Sequence, residues 1–437
     1  MPNTDRLLAL LADGLAPWRQ APGWRLAFSG GLDSTVLLHL LVRLGRQQPL
    51  PPLSAIHVHH GLQPQAEDWA RHCAAICAAW QVPLSLERVQ VVPGQGLEAA
   101  ARTARYDAFA RLLGKDELLL MAHHQNDQAE TLLFRLLRGA GVRGLAAIPP
   151  WRRFTDGSLV RPLLGVSRQQ LIDYAQAQGL HWVEDPSNQD QAYARNLIRQ
   201  RILPAIEAAW PQARVQLAGT ASRLREAQGL LEELAGQDLA VASTPSPWPW
   251  LTVPSLALAP LAALSPARQR NALRCWLAPY SSLPNEAHWA GWQALRDASP
   301  ETAPQWHLAA GVLQRGAGRI WWLSGDWLSQ PPAPVAWPDP GTTLPLPGNG
   351  RLSLSGAGVP GPLQVRYRQG GEQLMIVGRG HRDLKRLLNE AGLPAFVRGR
   401  LPLIYQGEQL LAVANLPRLA QRQGLAFAWQ PPAASVF

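Results

Sequence analysis

The feature that most constrains this chain is a six-residue turn, Ser29-Gly30-Gly31-Leu32-Asp33-Ser34, set between an apolar run and a helical one. Arg25-Leu26-Ala27-Phe28 before it reads as a buried strand, and Thr35-Val36-Leu37-Leu38 after it reads as the start of a helix. A strand that turns through two glycines into a helix leaves unpaired backbone N–H groups facing outward. The helix dipole adds to them, which makes an anion site suited to phosphate. Glycine lets the backbone come close to a ligand, and the serine hydroxyls add hydrogen bonds. The turn lacks both the GxxxxGK[ST] spacing and a lysine, so it is a different device from the P-loop of that pattern.

The same strand-and-helix rhythm continues. Strands are expected at Trp24–Ser29, Leu53–His60, Leu84–Val91 and Glu117–His123, with helices at Ser34–Leu44, Ala66–Trp80, Leu97–Leu113 and Gln125–Arg138. This alternation predicts an α/β fold with a mostly parallel sheet, helices on both faces and a ligand at the carboxyl ends of the strands. Helices at Leu171–Gln178 and Gln191–Trp210 close this half, and helical runs rich in Leu, Ala and Arg follow from about Gln216. Pro331–Gly350 is the strongest linker signal, and short alternating segments follow from Arg351. The expected organisation is a nucleotide-binding α/β domain over 1–215, a helical middle domain over 216–330, a linker over 331–350 and a small α+β domain over 351–437. A length of 437 residues accommodates several domains at roughly 100 to 200 residues each. Ten tryptophans, Trp248 through Trp337, crowd the middle region. Aromatic rings can stack on unpaired bases, but at this density packing is the expected role for most of them.

Net charge is +10, and Lys115 and Lys385 are the only lysines, leaving 39 of the 41 basic residues as arginine. Arginine recognises phosphate bidentately, so nucleic acid is the expected partner. The last domain concentrates cations at Arg366, Arg368, Arg379, His381, Arg382, Lys385, Arg386, Arg398 and Arg400. Three cysteines give no disulfide framework, and Cys73 and Cys77 lie four apart in an Ala-rich helical stretch instead of forming a CxxC pair. No run approaches the roughly 18 to 20 apolar residues of a membrane span, and the N-terminal segment lacks a signal peptide's layout, so a soluble cytoplasmic protein without membrane contact is expected.

Two further patches are expected on the rim of the turn. His57-Val58-His59-His60-Gly61-Leu62 ends the second strand, and His123-His124-Gln125-Asn126-Asp127-Gln128-Ala129-Glu130-Thr131 ends the fourth and opens a helix. His123, Asp127 and Glu130 are spaced to share a helix face. Carboxylates beside phosphates usually mean a magnesium bridge, whereas a zinc reading lacks the HExxH pair. Glu98, Arg102 and Arg105 share a face of the preceding helix, where an arginine could neutralise a departing pyrophosphate.

Together with Ala101-Arg102-Thr103-Ala104-Arg105-Tyr106, Arg138-Gly139-Ala140-Gly141-Val142-Arg143-Gly144-Leu145, Arg161-Pro162-Leu163-Leu164, Glu184-Asp185-Pro186-Ser187-Asn188 and Arg195-Asn196-Leu197-Ile198-Arg199, these motifs resemble bacterial tRNA(Ile)-lysidine synthases, of the PP-loop ATP pyrophosphatase superfamily. The match covers about residues 25–205. Arg268-Gln269-Arg270 through Leu277 resembles the family's helical middle domain. Arg368 through Glu372, Leu384 through Leu388 and Arg398 through Leu403 resemble its C-terminal domain.

The resemblance implies that ATP adenylates the wobble cytidine of a tRNA(Ile) with a CAU anticodon and that free L-lysine then displaces AMP. It implies Ser29, Gly30, Gly31, Leu32, Asp33 and Ser34 as the ATP contacts, and Asp33, Arg102, Arg105, His123, Asp127 and Glu130 as catalytic residues. Asp33 and Asp127 are the expected magnesium ligands, with Asp127 and Glu130 alternatively serving the lysine amine. Arg195, Asn196, Arg199, Arg368, Lys385 and Arg398 are the expected substrate contacts, and a homodimer is allowed.

Three rivals remain at this level. A PP-loop tRNA thiolase often carries CxxC pairs, absent here, and an amidotransferase relative needs an N-terminal nucleophilic cysteine, also absent. A non-catalytic RNA-binding relative would have little reason to keep Ser29, Asp33, Asp127 and Glu130 intact.

Overall fold

The computed structural model describes residues 3–91, 96–190, 193–282, 284, 286–299, 302–330, 333–355, 361–376, 380–421 and 424–433. Gln191, Arg379 and the side chain of Glu98 lie outside them. The chain forms two compact units, Met1–Gly229 and Leu230–Phe437.

In the first unit α1 (Asn3–Leu15) precedes β1 (Trp24–Ala27), α2 (Leu32–Gln47), β2 (Leu53–His59), α3 (Ala66–Ala79), β3 (Leu84–Arg88), α4 (Leu97–Leu112), β4 (Leu118–Leu120) and α5 (Gln125–Leu136). Then come the short α6 (Val142–Leu145), a hairpin of β5 (Trp151–Phe154) and β6 (Gly157–Val160), and α7 (Arg168–Ala177). Each expected strand and helix over 24–138 is present. The hairpin was not expected.

The six strands run in the order β3-β2-β1-β4-β6-β5, parallel except for the edge strand β5. Side chains alternate across this sheet as the pleat requires. Trp24, Leu26, Leu118 and Leu120 face a core built with α1, α2 and α7, whereas Ile56, Leu119 and Leu159 face another with Phe109 of α4. The chain moves outward from β1 to β2 and β3, then returns to place β4 on the other side of β1. The loops leaving β1 and β4 therefore meet at a topological switch point, where a doubly wound sheet opens a crevice.

After α7 come α8 (Ala194–Leu197), a π-helical turn at Ile198–Ile202, α9 (Leu203–Ala209) and the 30-residue α10 (Ala213–Ala242). The division between the units falls inside α10, not before Gln216.

The second unit continues with β7 (Ser255–Ala257), α11 (Leu258–Ala262), α12 (Pro266–Leu277), α13 (Trp289–Asp297), β8 (Gln305–Leu308), β9 (Gly311–Gly316) and β10 (Arg319–Leu323). The helical middle is thus present, and with it comes a four-stranded sheet in the order β7-β10-β9-β8. Trp289, Trp292, Trp306 and Trp322 are buried in its core, and Trp321, Trp327 and Trp337 in the next one, which is the packing role expected of them.

The last part holds β11 (Val335–Trp337), β12 (Leu344–Pro345), β13 (Arg351–Leu354), β14 (Leu363–Arg366), β15 (Gln373–Ile376), β16 (Gly380–Asp383), α14 (Leu384–Glu390), α15 (Ala395–Arg398), β17 (Leu403–Gln406), β18 (Gln409–Val413) and β19 (Phe427–Gln430). Here the linker expectation fails. β11 and β12 are strands of two of these sheets, and Trp337, Leu344 and Leu346 are buried in one core with Leu251, Val253 and Trp327. A cut at residue 345 would strip that core, at about 1.5–3 kcal/mol for each large side chain exposed. Among the described residues no helix is long and apolar enough to cross a membrane.

Candidate active site

The turn after β1 has the geometry that its glycines predict. Gly30 sits at φ +79°, and a Cβ there would lie 2.8 Å from Cys73 Sγ and 3.3 Å from Val183 Cγ2, so both the dihedral and the space require glycine. The loop is braced from within. Ser34 Oγ donates to the Gly31 carbonyl at 3.1 Å, Thr35 Oγ1 donates to that of Gly30 at 3.3 Å, and Ser29 Oγ lies 3.1 Å from Ser34 Oγ. From outside, Val183 N–H donates to the Gly30 carbonyl at 3.0 Å. His57 Nδ1 donates to the Phe28 carbonyl at 2.9 Å and lies 3.3 Å from Cys73 Sγ. His57 therefore braces the loop. Burial pushes the Cys73 thiol up to about 12, so it is an inert packing group.

The second element is the start of α5. His124 caps the helix, and its backbone N–H donates to Asp127 Oδ2 at 2.9 Å. The imidazole Nε2 of His124 stands 3.6 Å from Asp33 Oδ2 and 3.7 Å from Asp127 Oδ2. Burial lowers the basicity of His124, but the carboxylates of Asp127 and Asp33 overcome it and leave the pKa raised. One imidazole thus stands between the Asp33 carboxylate at the start of α2 and the Asp127 carboxylate of α5.

Asp127 and Glu130 face α8 and the π-helical turn. Arg195 donates through Nη2 to Asp127 Oδ1 at 2.9 Å and through Nε to Glu130 Oε2 at 3.1 Å. Arg199 donates through Nε to Glu130 Oε1 at 2.7 Å and through Nη2 to Glu130 Oε2 at 2.9 Å and Asp127 Oδ1 at 3.4 Å. The π turn, a feature frequent at functional sites, carries Arg199. Burial raises the Asp127 carboxyl, but His124, Arg195, His123 and the capping N–H outweigh it and hold the group at about 2. Arg195 and Arg199, expected as substrate contacts, are here the counter-ions of the carboxylates. Asn196 holds the chain instead, donating to the carbonyls of Ser187 at 3.0 Å and Asp190 at 2.8 Å.

His123, expected among the catalytic residues, is held in its neutral form. Burial, reinforced by Arg161, Arg195 and Arg102 and opposed by Asp127, drives it down to about 4, so it is neutral at physiological pH. Positive charge on that side comes from arginine. Arg102 is exposed, donates to Tyr106 Oη at 3.3 Å and lies over its ring at 4.8 Å. Arg105 reaches His60 Nε2 at 3.2 Å, and His60, pushed to about 4 by burial and by Arg105, accepts that bond.

Magnesium fits one of its two expected ligands. Asp33 Oδ1 is buried without a hydrogen-bond partner, a free hard oxygen beside an anion-binding turn. Asp127 has both oxygens engaged by Arg195, Arg199 and the His124 backbone. Among the described residues no three His, Cys, Asp or Glu side chains are gathered as a metal site, so an ion here would take most of its ligands from phosphate and water.

In the second unit Lys385 is exposed, whereas Arg398 is tied to the Leu393 carbonyl at 2.8 Å and to Asn389 Oδ1. Arg368 Nε lies 3.9 Å from Glu372 Oε2. Other described members of the cluster are engaged within the protein too. Arg366 is paired with Glu408 at 2.9 Å, and Arg400 is buried, its guanidinium donating to the carbonyls of Asp326, Ser329 and Gly348.

Residues 3–206 match the family described as PP-loop domain, residues 256–321 the TilS substrate binding domain and residues 363–429 the TilS substrate C-terminal domain. The tRNA(Ile)-lysidine synthase of Pseudomonas putida is 58% identical over 96% of this chain and 98% of that protein. The chain belongs to the tRNA(Ile)-lysidine synthase family. The relative of the same name in Pseudomonas aeruginosa is 57% identical over 99% of this chain and 98% of its own length. Among solved structures, the U34-tRNA thiolase NcsA from Methanococcus maripaludis with its [4Fe-4S] cluster is similar at 16% identity over 51% of this chain and 79% of that one. Its TM-score is 0.44. Family membership makes the chain an ATP-using, tRNA-modifying ligase, and it sets aside the thiolase and the non-catalytic relative.

The residue that sequence reasoning missed is His124. Its neighbour His123 has the i, i+4 spacing to Asp127 and drew the assignment, but the cap position is what aims an imidazole between two carboxylates.

Proposed function

We propose that the first unit activates the C2 carbonyl oxygen of the wobble cytidine in tRNA(Ile) of CAU anticodon with ATP, releasing pyrophosphate. The side-chain amine of free L-lysine then attacks C2, loses a proton and displaces AMP, which leaves with the original oxygen. The observation that carries this reading is the placement of a phosphate-suited glycine turn and an acidic pair, Asp127 and Glu130, on either side of one imidazole. An amide-like oxygen leaves poorly until adenylated, and an ammonium is no nucleophile until deprotonated. The site therefore needs an anion-binding side and a carboxylate side.

In this reading Ser29, Gly30, Gly31, Leu32, Asp33 and Ser34 cradle the ATP phosphates, and Arg102 neutralises the leaving pyrophosphate. Asp127 and Glu130 orient the lysine amine and accept its proton, exchanging Arg195 and Arg199 as counter-ions when it arrives. Asp33 would hold magnesium, which would supply positive charge against that of the ATP phosphates. His123, being neutral, offers a hydrogen bond and no charge.

The test is to mix the protein with ATP, L-lysine and a tRNA(Ile) transcript of CAU anticodon and to digest the product. A lysine-sized mass increase on the wobble cytidine is expected. An unchanged nucleotide, with ATP consumed or not, would overturn the reading.

For the tRNA itself we propose phosphate contacts in the 351–437 region through exposed Lys385 and Arg382, with Arg368 and Arg398 alongside. Lys385→Ala is expected to flatten the dependence of log K on log salt by about 0.7 to 0.9. Filter binding at several salt concentrations reads it, and an unchanged slope would remove Lys385 from the contact.

A further inference from the structure

We propose that His124 is a positioning residue that ties the adenylation carboxylate, Asp33, to the lysine-side carboxylate, Asp127. The inference rests on those two assignments and adds a part that neither includes. His124 is buried, with 2% of its surface exposed, and its Nε2 has one carboxylate oxygen on each side, at 3.6 and 3.7 Å. Ionised carboxylates only accept, so the nitrogen facing them carries the proton.

Each carboxylate is thereby held by one edge. Asp33 faces the imidazole through Oδ2, and its buried Oδ1 is left without a partner. Asp127 Oδ2 accepts from the backbone N–H of His124 at 2.9 Å and has the imidazole at 3.7 Å, which leaves Oδ1 to Arg195 and Arg199. The backbone of His124 is held in turn as the cap of α5, with its N–H bonded to Asp127 Oδ2, which sets where the imidazole starts. Without the imidazole the two anions would face each other with no donor between them and would swing apart. Neither step's geometry would then survive. The inference is distinct from general acid or base work by His124, since that nitrogen faces two carboxylates of the protein itself, both within ion-pair distance.

The test uses the full-length protein and three variants. His124→Leu fills the space without a donor. His124→Gln offers an amide N–H at the reach of Nε2. His124→Asn is polar but too short, and serves in place of the leucine variant if that protein does not fold. Single-turnover rates of pyrophosphate release and of lysine attachment are measured together with the KM for ATP and the Tm. His124→Leu and His124→Asn are expected to slow both steps by about 10- to 100-fold, the range for lost outer-shell support. The KM for ATP should move by less than about threefold, because the phosphate-binding turn is untouched. His124→Gln should recover most of both rates.

Rates for His124→Leu within about twofold of wild type would overturn the proposal, a difference under about 0.5 kcal/mol. So would His124→Gln as slow as the leucine variant with a lowered Tm, which is the signature of packing alone. A wild-type protein that attaches no lysine would overturn the underlying reading of the site and this inference with it. An active wild type beside an unaffected His124→Leu would overturn only the inference.

Discussion

Asp33→Ala is expected to stop adenylation while leaving the tRNA bound. Asp33 is the second residue of α2, beside the glycine turn, and its Oδ1 is buried without a partner. That oxygen does nothing for the fold, so its worth lies in what it meets when ATP enters. Removing one preorganised electrostatic contact from a transition state slows a reaction by roughly a hundred- to a thousandfold. Stability should hold, because among the described residues the one side chain within ion-pair distance is His124 at 3.6 Å, which keeps Asp127 as a partner. Pyrophosphate release in the presence of saturating tRNA is the measurement, with tRNA affinity followed in parallel. Near wild-type release would sink the assignment of the loop. A large loss of tRNA affinity would mean that the turn meets the nucleic acid, not the nucleotide.

The parts of this site that the sequence makes legible are those encoded by local pattern. A strand, two glycines and a helix leave few alternatives, and His123, Asp127 and Glu130 announce a shared face by their spacing. What stays hidden depends on partners far away in the chain. Arg195 and Arg199 look like solvent-facing cations in an Arg-rich stretch, yet they close on carboxylates 65 to 72 positions earlier. Arg400 has the same neighbours in sequence as any surface arginine, but backbone carbonyls from 326–329 and 348 surround it. The β5–β6 hairpin is illegible for another reason. Trp151-Arg152-Arg153-Phe154 lies on the sheet edge, its first three residues exposed, so it shows no alternation of apolar and polar residues. The middle sheet hides in the opposite way. Arg319-Ile320-Trp321-Trp322-Leu323 is buried throughout, and a continuous apolar run does not distinguish a strand from a buried helix. Pro331–Gly350 shows that proline and glycine mark turns without marking freedom. The turns there fold two strands into place.

Glu130→Gln is expected to strike both activity and stability, because Glu130 is the most enclosed member of the ion network. Its side chain is 1% exposed and accepts three guanidinium hydrogen bonds, at 2.7, 2.9 and 3.1 Å. Breaking one side of a buried pair costs about 3–5 kcal/mol when the stranded charge stays buried. Arg195 and Arg199 are about a third exposed and can turn toward water, so the loss should fall nearer 2 kcal/mol. For a unit of this size that is a fall of roughly 4–8 °C in Tm. Lysine attachment should slow by about a hundredfold or more, the scale of a lost general base. Asp127 adds a pH signature to the same network. Its carboxyl titrates at about 2 in the folded protein against the ordinary 3.8, so the folded state favours the ionised form. The resulting stability, about 2 kcal/mol, is fully present above pH 4 and is lost as pH falls toward 2. Asp127→Asn removes that dependence, so its stability should fall less steeply below pH 4 than that of the wild type. Unfolding curves between pH 7 and pH 2.5 check the slope, and single-turnover assays check the chemistry. Unaltered rates in both steps for Glu130→Gln, with only the Tm lowered, would leave Glu130 as an anchor for Arg195 and Arg199 and nothing more.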